Sequence, residues 1–126
     1  MLDAILLFLA YLGTSVGLLL AFVWVYARVT PYNDFALIAH DNSAAAIVLA
    51  GAVLGFTLPL VAAIYYTRSL LEMIVWATLT CAVQLVVFVV MRRQAKRIEE
   101  GHVSSAIMVA TFSIAVGLLS AASISN

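Results

Sequence analysis

The sequence predicts an all-α membrane protein with four transmembrane helices, arranged as two tandem helical hairpins that enter the membrane in the same direction, with both termini outside. Three observations support this fold class. The chain of 126 residues is 66% hydrophobic and only 10% charged, whereas soluble domains are about half apolar and about a quarter charged. Four apolar runs are long enough for membrane helices, and the second half of the chain resembles the first.

Four segments are predicted to span the membrane as helices. About 20 apolar residues cross the hydrocarbon core, and in lipid the backbone must satisfy its own hydrogen bonds. The segments cover residues 4–27, 43–67, 73–91 and 103–125, and none contains a charged residue. The first lacks the basic leader of a signal peptide, so we interpret it as a retained span. The following aromatic residues near span ends are expected to be interfacial anchors: Trp24, Tyr26, Tyr32, Tyr65, Tyr66 and Trp76.

Two similar segments indicate an internal duplication. Asn42-Ser-Ala-Ala-Ala-Ile47 begins the second span, and His102-Val-Ser-Ser-Ala-Ile107 begins the fourth, 60 residues later. We therefore interpret residues 1–126 as one membrane domain, with a first repeat over 1–67 and a second over 68–126. Two repeats of two spans each insert in the same direction, so their pseudo-two-fold axis is expected to run along the membrane normal.

Basic residues are concentrated on one predicted face of the membrane. Arg28 and four residues after the third span lie on that face, and only Arg68 lies on the other. The positive-inside rule therefore predicts that loops 29–42 and 93–102 are cytoplasmic and that both termini are periplasmic or exterior. The four residues are a candidate contact for a soluble partner or, equally, for anionic lipid: Arg92, Arg93, Lys96 and Arg97.

The two cytoplasmic loops are predicted to differ. Thr30 followed by Pro31 resembles a helix start, so residues 31–39 form either an interfacial helix, with Asp34 at its positive end, or an irregular linker. The third helix is expected to continue past Arg92 and to stop at Gly101, which suits the position after a helix end.

Four polar residues at the helix entrances form a candidate site: His40, Asp41, Asn42 and His102. One interpretation is helix capping and hairpin closure. The other is a polar ring at a cytoplasmic mouth that binds an ion or responds to pH, because histidine titrates near neutrality. Their spacing matches no common metal or haem motif, and we expect no cofactor.

Small residues recur every fourth position on three spans, and such stripes let helices approach closely. Gly13 and Gly17 mark the first span, Gly51 and Gly55 the second, and Gly117 the fourth. The stripes indicate internal packing or a homodimer seam along Gly13 and Gly17. On the third span, Gln84 is expected to form a hydrogen bond to another helix.

The run from Thr30 to Ala45, followed by Gly51, Gly55 and Pro59, resembles the YjfL family of bacterial inner-membrane proteins, known as domain of unknown function 350. The resemblance covers essentially the whole chain and implies an inner-membrane location. Family members tend to be encoded near phage-shock-type membrane-stress proteins, which implies an accessory role with a soluble cytoplasmic partner. The second half departs from the family pattern, because His102 replaces an asparagine.

Two functions are left open. The first is a membrane scaffold or accessory subunit in envelope stress or membrane maintenance, and the second is an oligomeric pore or carrier for a small ion or solute. We expect no enzymatic activity, because the sequence has no nucleophile–base arrangement or phosphate-binding loop. Ionisable residues are absent from the spans, which argues against proton-coupled transport.

Six basic and six acidic residues balance, so nucleic acid is not an expected partner. The expected partners are the lipid bilayer and other copies of the chain, as a homo-oligomer and preferably a dimer.

Overall fold

A computed structural model describes residues 1–31, 33–66 and 69–124. Within them the chain forms α1 (Leu2–Val29), α2 (Asp34–Ala39), α3 (Ser43–Tyr66), α4 (Leu70–Val90), α5 (Ala95–Glu99) and α6 (Val103–Ser123), with a 3-10 turn at Arg92–Gln94. The helices α1, α3, α4 and α6 are long and apolar enough to cross a membrane. The prediction of an all-α protein with four spans is confirmed, while the direction of insertion stays a prediction.

Helix α3 lies at the centre of the bundle, in contact with α1, α4 and α6, and α1 lies at its edge. Within the most apolar continuous stretch of 18 residues in each helix, 44% of the residues are buried in α3 but only 6% in α1. The first ten residues are all exposed. A helix that is apolar all round and hardly buried by its own chain faces lipid or another membrane protein over most of its surface.

The C-terminal half of α1 is held by aromatic rings. The ring of Phe22 stacks on that of Phe56 in α3, with 4.4 Å between centroids. Tyr26 meets Phe88 of α4 edge to face at 5.5 Å. Nearer the N-terminus, Ser15 Oγ lies 3.9 Å from Met73 Sδ of α4. Because Ser15 pairs with Met73 and Tyr26 with Phe88, α1 and α4 run in the same direction, and their C-terminal ends lie together.

The α3–α6 contact brings two backbones together at small residues. A Cβ added to Gly51 would lie 2.5 Å from the Cβ of Ala110, and one added to Gly117 would collide with the Gly55 backbone. Side chains at these positions would separate the helices, so the approach depends on glycine, as in other close membrane helix pairs.

Two expectations about the loops are wrong. Helix α2 begins at Asp34, and its N-cap is Asn33, whose Oδ1 accepts a hydrogen bond from the Ala36 N–H at 3.1 Å. Thr30 instead ends α1 in an extended conformation, because the proline that follows it disfavours helical dihedrals.

The third span also does not continue into the loop. Helix α4 ends at Val90, and a 3-10 turn separates it from α5. The break turns Ala95 and Ile98 toward the bundle, where both are buried. Tyr32 and Arg68, named above as an anchor and as the basic residue of the outer face, lie outside the described residues.

Candidate functional site

We use "loop face" for the end of the bundle formed by residues 30–42 and 91–102. In its first part, the turn after α2 reverses the chain through Asp41, whose φ is 64°. The Asp41 N–H donates to the Ile38 carbonyl at 3.0 Å, and the Asn42 N–H donates to the Leu37 carbonyl at 2.9 Å. This pair of hydrogen bonds is the Schellman ending of a helix. Asn42 is thereby placed directly before α3.

The second part of the loop face repeats this turn after α5. Gly101 has a φ of 89°, and its N–H donates to the Ile98 carbonyl at 2.9 Å. The His102 N–H donates to the Arg97 carbonyl at 2.9 Å. The expectation that Gly101 follows a helix end is confirmed, and His102 lies before α6 as Asn42 lies before α3.

The side chain of Asn42 joins the two parts of the loop face. Its Oδ1 accepts a hydrogen bond from the Ala45 N–H at 3.0 Å and so caps α3. Its Nδ2 donates to the carbonyls of Ile98 and Glu99 at 3.2 and 3.1 Å. These carbonyls belong to the last turn of α5, where the helical hydrogen-bond pattern runs out, and the Ile98 carbonyl also accepts from the Gly101 N–H. The side-chain amide of Asn42 therefore forms hydrogen bonds with backbone groups of both α3 and α5.

His102 does not reproduce this role. Its side chain makes no capping hydrogen bond, and its Nε2 lies 3.9 Å from an oxygen of Glu100, with both side chains about half exposed. His40 and Asp41 are exposed as well. Of the four residues predicted to form a polar ring, the structure thus places Asn42 between α3 and α5 and the others on the surface.

A shallow cleft of about 190 Å³ lies beside Asn42 and is lined by Ile38, Asp41, Asn42, Ser43 and Ala46. Asp41 is the only titratable residue in this lining. Throughout the described ranges, no three His, Cys, Asp or Glu side chains come close enough together to hold a metal ion.

Sequence reasoning missed a buried carboxyl on the loop face. Asp34 is 1% exposed, and its Oδ2 lies 2.6 Å from the Thr30 hydroxyl oxygen. That hydroxyl also lies 3.1 Å from the Ala27 carbonyl, so its single proton cannot serve both acceptors. Asp34 Oδ1 is buried and accepts no hydrogen bond from another described residue. If Asp34 is protonated and donates to the Thr30 hydroxyl oxygen, the Thr30 hydroxyl can donate its own proton to the Ala27 carbonyl.

Burial is also the main influence on the pKa of Asp34. It raises the pKa above the ordinary value, and the hydrogen bonds from Thr30 and from the residue's own backbone lower it by less. The only sequence signal for this site was Asp34 at a helix start, a position that is usually exposed.

Within the spans, Gln84 of α4 is buried, and its Nε2 donates to the Ser113 carbonyl of α6 at 3.0 Å. The predicted hydrogen bond between helices is confirmed. Gln84 Oε1 is buried without a partner among the described residues. A Cβ on Gly55 would lie 2.6 Å from the Gln84 amide nitrogen, so glycine leaves room for this bond.

The 3-10 turn and the short helix α5 together carry the basic surface, which we define as Arg92, Arg93, Lys96 and Arg97. All four are exposed. Ala95 and Ile98 are buried on the opposite side of the segment. The bundle therefore holds α5 by its apolar side and leaves its cations facing outward.

An apolar groove of about 320 Å³ opens between α1 and α4, with α3 behind it. We call it the α1–α4 groove. Phe22, Phe56 and Ala77 form its buried floor, and Ala21, Thr78 and Ala82 form its exposed rim. Its full lining is Leu18, Ala21, Phe22, Val25, Phe56, Ala77, Thr78, Cys81, Ala82 and Leu85.

The predicted packing glycines fall into two groups. Gly51, Gly55 and Gly117 lie in the α3–α6 contact, whereas a Cβ on Gly13 or Gly17 would meet no described atom within 4 Å. The stripe on α1 is thus open within one chain.

The chain is similar to known proteins along nearly its whole length. The chain is 29% identical over 125 residues to the UPF0719 inner membrane protein YjfL of Escherichia coli strain K12, covering 96% of this chain and 95% of that protein. The protein of the same name from Escherichia coli O157:H7 gives the same identity and coverage. No solved structure matches the chain. Residues 1–124 match the family described as Domain of Unknown Function, DUF350. The chain therefore belongs to the DUF350 family.

Proposed function

We propose that this protein is a multi-pass protein of the bacterial inner membrane without enzymatic activity, which acts as a scaffold or accessory subunit and binds a soluble cytoplasmic partner on its basic surface. The inner-membrane location is supported by the similarity to YjfL of E. coli, which is named an inner membrane protein. The observation that carries the proposal is the fixed basic surface on the 3-10 turn and α5.

Two sets of contacts hold this surface in place. Ala95 and Ile98 are buried against the bundle, and Asn42 binds the last carbonyls of α5. The cations of α5 therefore belong to an ordered helix rather than to a loose loop. Electrostatic complementarity on a fixed patch speeds association and selects partners. An acidic surface on a soluble protein is the chemistry that this patch fits.

The interior of the bundle favours a scaffold over a pore. Helices α3 and α6 approach until their backbones touch at Gly55 and Gly117. Several hydroxyls in the spans already donate to the carbonyl four residues earlier in their own helix: Ser15, Thr57, Thr78, Thr80, Thr111 and Ser123. Paired hydroxyls and close-packed backbones are properties of a supporting bundle.

We further propose that the scaffold is a homodimer joined along α1. The first ten residues of the chain are all exposed, and Gly13 and Gly17 let a second helix approach closely. Cysteine cross-linking through a Gly17→Cys variant, in a Cys81→Ser background, tests this seam. A cross-link at Gly17 with none in a matched Leu54→Cys variant on lipid-exposed α3 is the expected result.

The main proposal is tested by photo-cross-linking in cells. A photoreactive amino acid placed at exposed Glu99, beside the basic surface, is expected to capture a soluble protein. Replacing Arg92, Arg93, Lys96 and Arg97 by glutamate should abolish the capture, and Asp3→Lys at the opposite end of α1 should leave it unchanged. If the charge-reversed protein retains every partner, the proposal is wrong. Solute flux through proteoliposomes above that of empty vesicles would support the pore instead.

A further inference from the structure

We propose that the α1–α4 groove is a binding site for an anionic phospholipid, with one acyl chain in the groove and the phosphate at Arg28 and Arg92. This inference does not depend on the proposed scaffold function or on the direction of insertion. It rests on the shape of the groove, on its apolar lining and on the positions of the two arginines.

The groove has the dimensions and surface of an acyl-chain site. It extends from Leu18 to Val25 along α1 and from Ala77 to Leu85 along α4. Seven residues of helix correspond to about 10 Å, which is most of the depth of one leaflet, about half of a 30 Å core. Stacked Phe22 and Phe56 form a flat apolar floor, against which a flexible chain can lie.

The groove reaches toward the loop face and not toward the termini. Val25 is four residues from the end of α1, whereas Leu18 is 16 residues from its start. Ala21 and Ala82 have small side chains on the exposed rim. On α4 the lining residues lie near the middle of the helix, and Leu85 is five residues from its end. The groove is therefore open sideways to the bilayer, and its loop-face end lies within about one and a half helical turns of the ends of α1 and α4.

Two cations follow the groove at this end. Helices α1 and α4 run in the same direction, with Tyr26 against Phe88. Arg28 comes two residues after Tyr26, and Arg92 comes four residues after Phe88. Both arginines are exposed, and neither pairs with a carboxylate among the residues that the structure describes. The guanidinium carbon of Arg28 lies 4.6 Å from the Trp24 ring centroid, which holds it at the interface.

An anionic lipid fits this combination better than a second protein helix. A helix is about 10 Å wide with its side chains, whereas the bulky rings of Phe22 and Phe56 occupy the floor of the groove beside Ala77. A helix would also leave the two arginines without a counter-charge. A phosphate with an attached chain satisfies the cations and the apolar lining together, since guanidinium groups bind phosphate with paired hydrogen bonds.

The test measures lipid preference by quenching of Trp24. A Trp76→Phe variant, reconstituted in phosphatidylcholine vesicles, leaves Trp24 as the single tryptophan beside Arg28. Brominated phosphatidylglycerol and brominated phosphatidylcholine are compared as quenchers. We expect phosphatidylglycerol to associate more strongly, and Arg28→Gln or Arg92→Gln to lower that preference by about fivefold each, the effect of one basic residue near a membrane surface.

Groove-filling variants separate a built site from general attraction to the cations. Ala21→Leu and Ala82→Leu fill the rim while keeping both arginines, and they should lower the preference for phosphatidylglycerol. Ala115→Leu, at an exposed position of α6, is the matched control and should not. The proposal is overturned if the filled variants keep the preference, or if the wild-type groove shows none. The proposal is also overturned if neither brominated lipid quenches Trp24, because a second chain would then cover it.

Discussion

Gly55 is the residue at which helix packing and polar contact meet. A Cβ added there would collide with the Ser113 carbonyl and crowd the Gln84 amide. We expect Gly55→Ala to lower the free energy of unfolding by about 1–3 kcal/mol, the usual cost of overpacking a tight core. Unfolding of the purified protein in mixed micelles by increasing denaturing detergent measures the change.

Gly17 supplies the matched control for this substitution. It lies in a membrane helix like Gly55, but an added Cβ meets nothing within 4 Å. For the monomer, at dilutions where the proposed α1 seam is dissociated, Gly17→Ala should therefore leave the unfolding free energy unchanged or raise it by up to about 1 kcal/mol, since alanine favours the helix. Equal destabilisation by both variants would show that loss of glycine itself matters, and not the α3–α6 contact.

Asp34 should give the protein an unusual dependence on pH. Burial raises its pKa in the folded state above the ordinary value of an aspartate, so the folded state binds the proton more tightly than the unfolded state. Its contribution to stability is therefore full below the unfolded pKa and falls as the pH rises through the folded pKa. We predict that Asp34→Asn removes this decline, so that the melting temperature of the variant changes less than that of the wild type above pH 4.

The exposed carboxyl of Asp3 provides the comparison for this pH series. Asp3→Asn should keep the decline of the wild type, because this carboxyl is not buried in the fold. Melting curves at several pH values in one detergent would distinguish the variants. A wild-type melting temperature that rises with pH over the same range would contradict the sign worked out for Asp34.

At the scale of helices, Asn42 should matter more than its counterpart His102. Asn42→Ala removes the cap of α3 and both hydrogen bonds to the end of α5. Loss of a cap alone costs about 0.5–2 kcal/mol, so we expect a decrease of at least that size in unfolding free energy. His102→Ala should change it little, because His102 provides no cap. His102→Asn should stabilise α6, because asparagine can supply the missing cap. Equal effects of Asn42→Ala and His102→Ala, measured by the same detergent titration, would be inconsistent with this account.

Hydropathy located all four membrane helices but not their ends. The span predicted over 73–91 is observed as Leu70–Val90, because the Ser69 side chain caps the helix by accepting a hydrogen bond from the Glu72 N–H. An apolar run marks what lipid covers, whereas capping groups decide where helical hydrogen bonding begins. Thr30 followed by Pro31 resembles a helix start as a local motif. The proline, however, disfavours helical dihedrals at the residue before it, so no helix starts at Thr30.

At the scale of the whole molecule, the sequence could indicate which residues line the loop face but not which of them are buried. Asn42 was recognised as a cap, and its second role depends on the position of α5, which sequence spacing does not specify. Asp34 is buried only because α2 folds back onto the bundle. The α1–α4 groove likewise exists because two distant helices run in the same direction, and neither helix carries a local signal for it.

The direction in which the whole bundle crosses the membrane follows from charge. Five basic residues belong to the loop-face side and one to the other side, so we predict that the loop face is cytoplasmic and that both termini are periplasmic. Single cysteines introduced as Asp3→Cys, Ser123→Cys or Glu99→Cys in a Cys81→Ser background can be labelled in spheroplasts with a membrane-impermeant maleimide. The two terminal variants should react in intact spheroplasts, and the Glu99→Cys variant only after permeabilisation. The reverse pattern would place the basic surface outside, where no cytoplasmic protein could reach it. Labelling of all three in intact spheroplasts would indicate that the chain inserts in both directions.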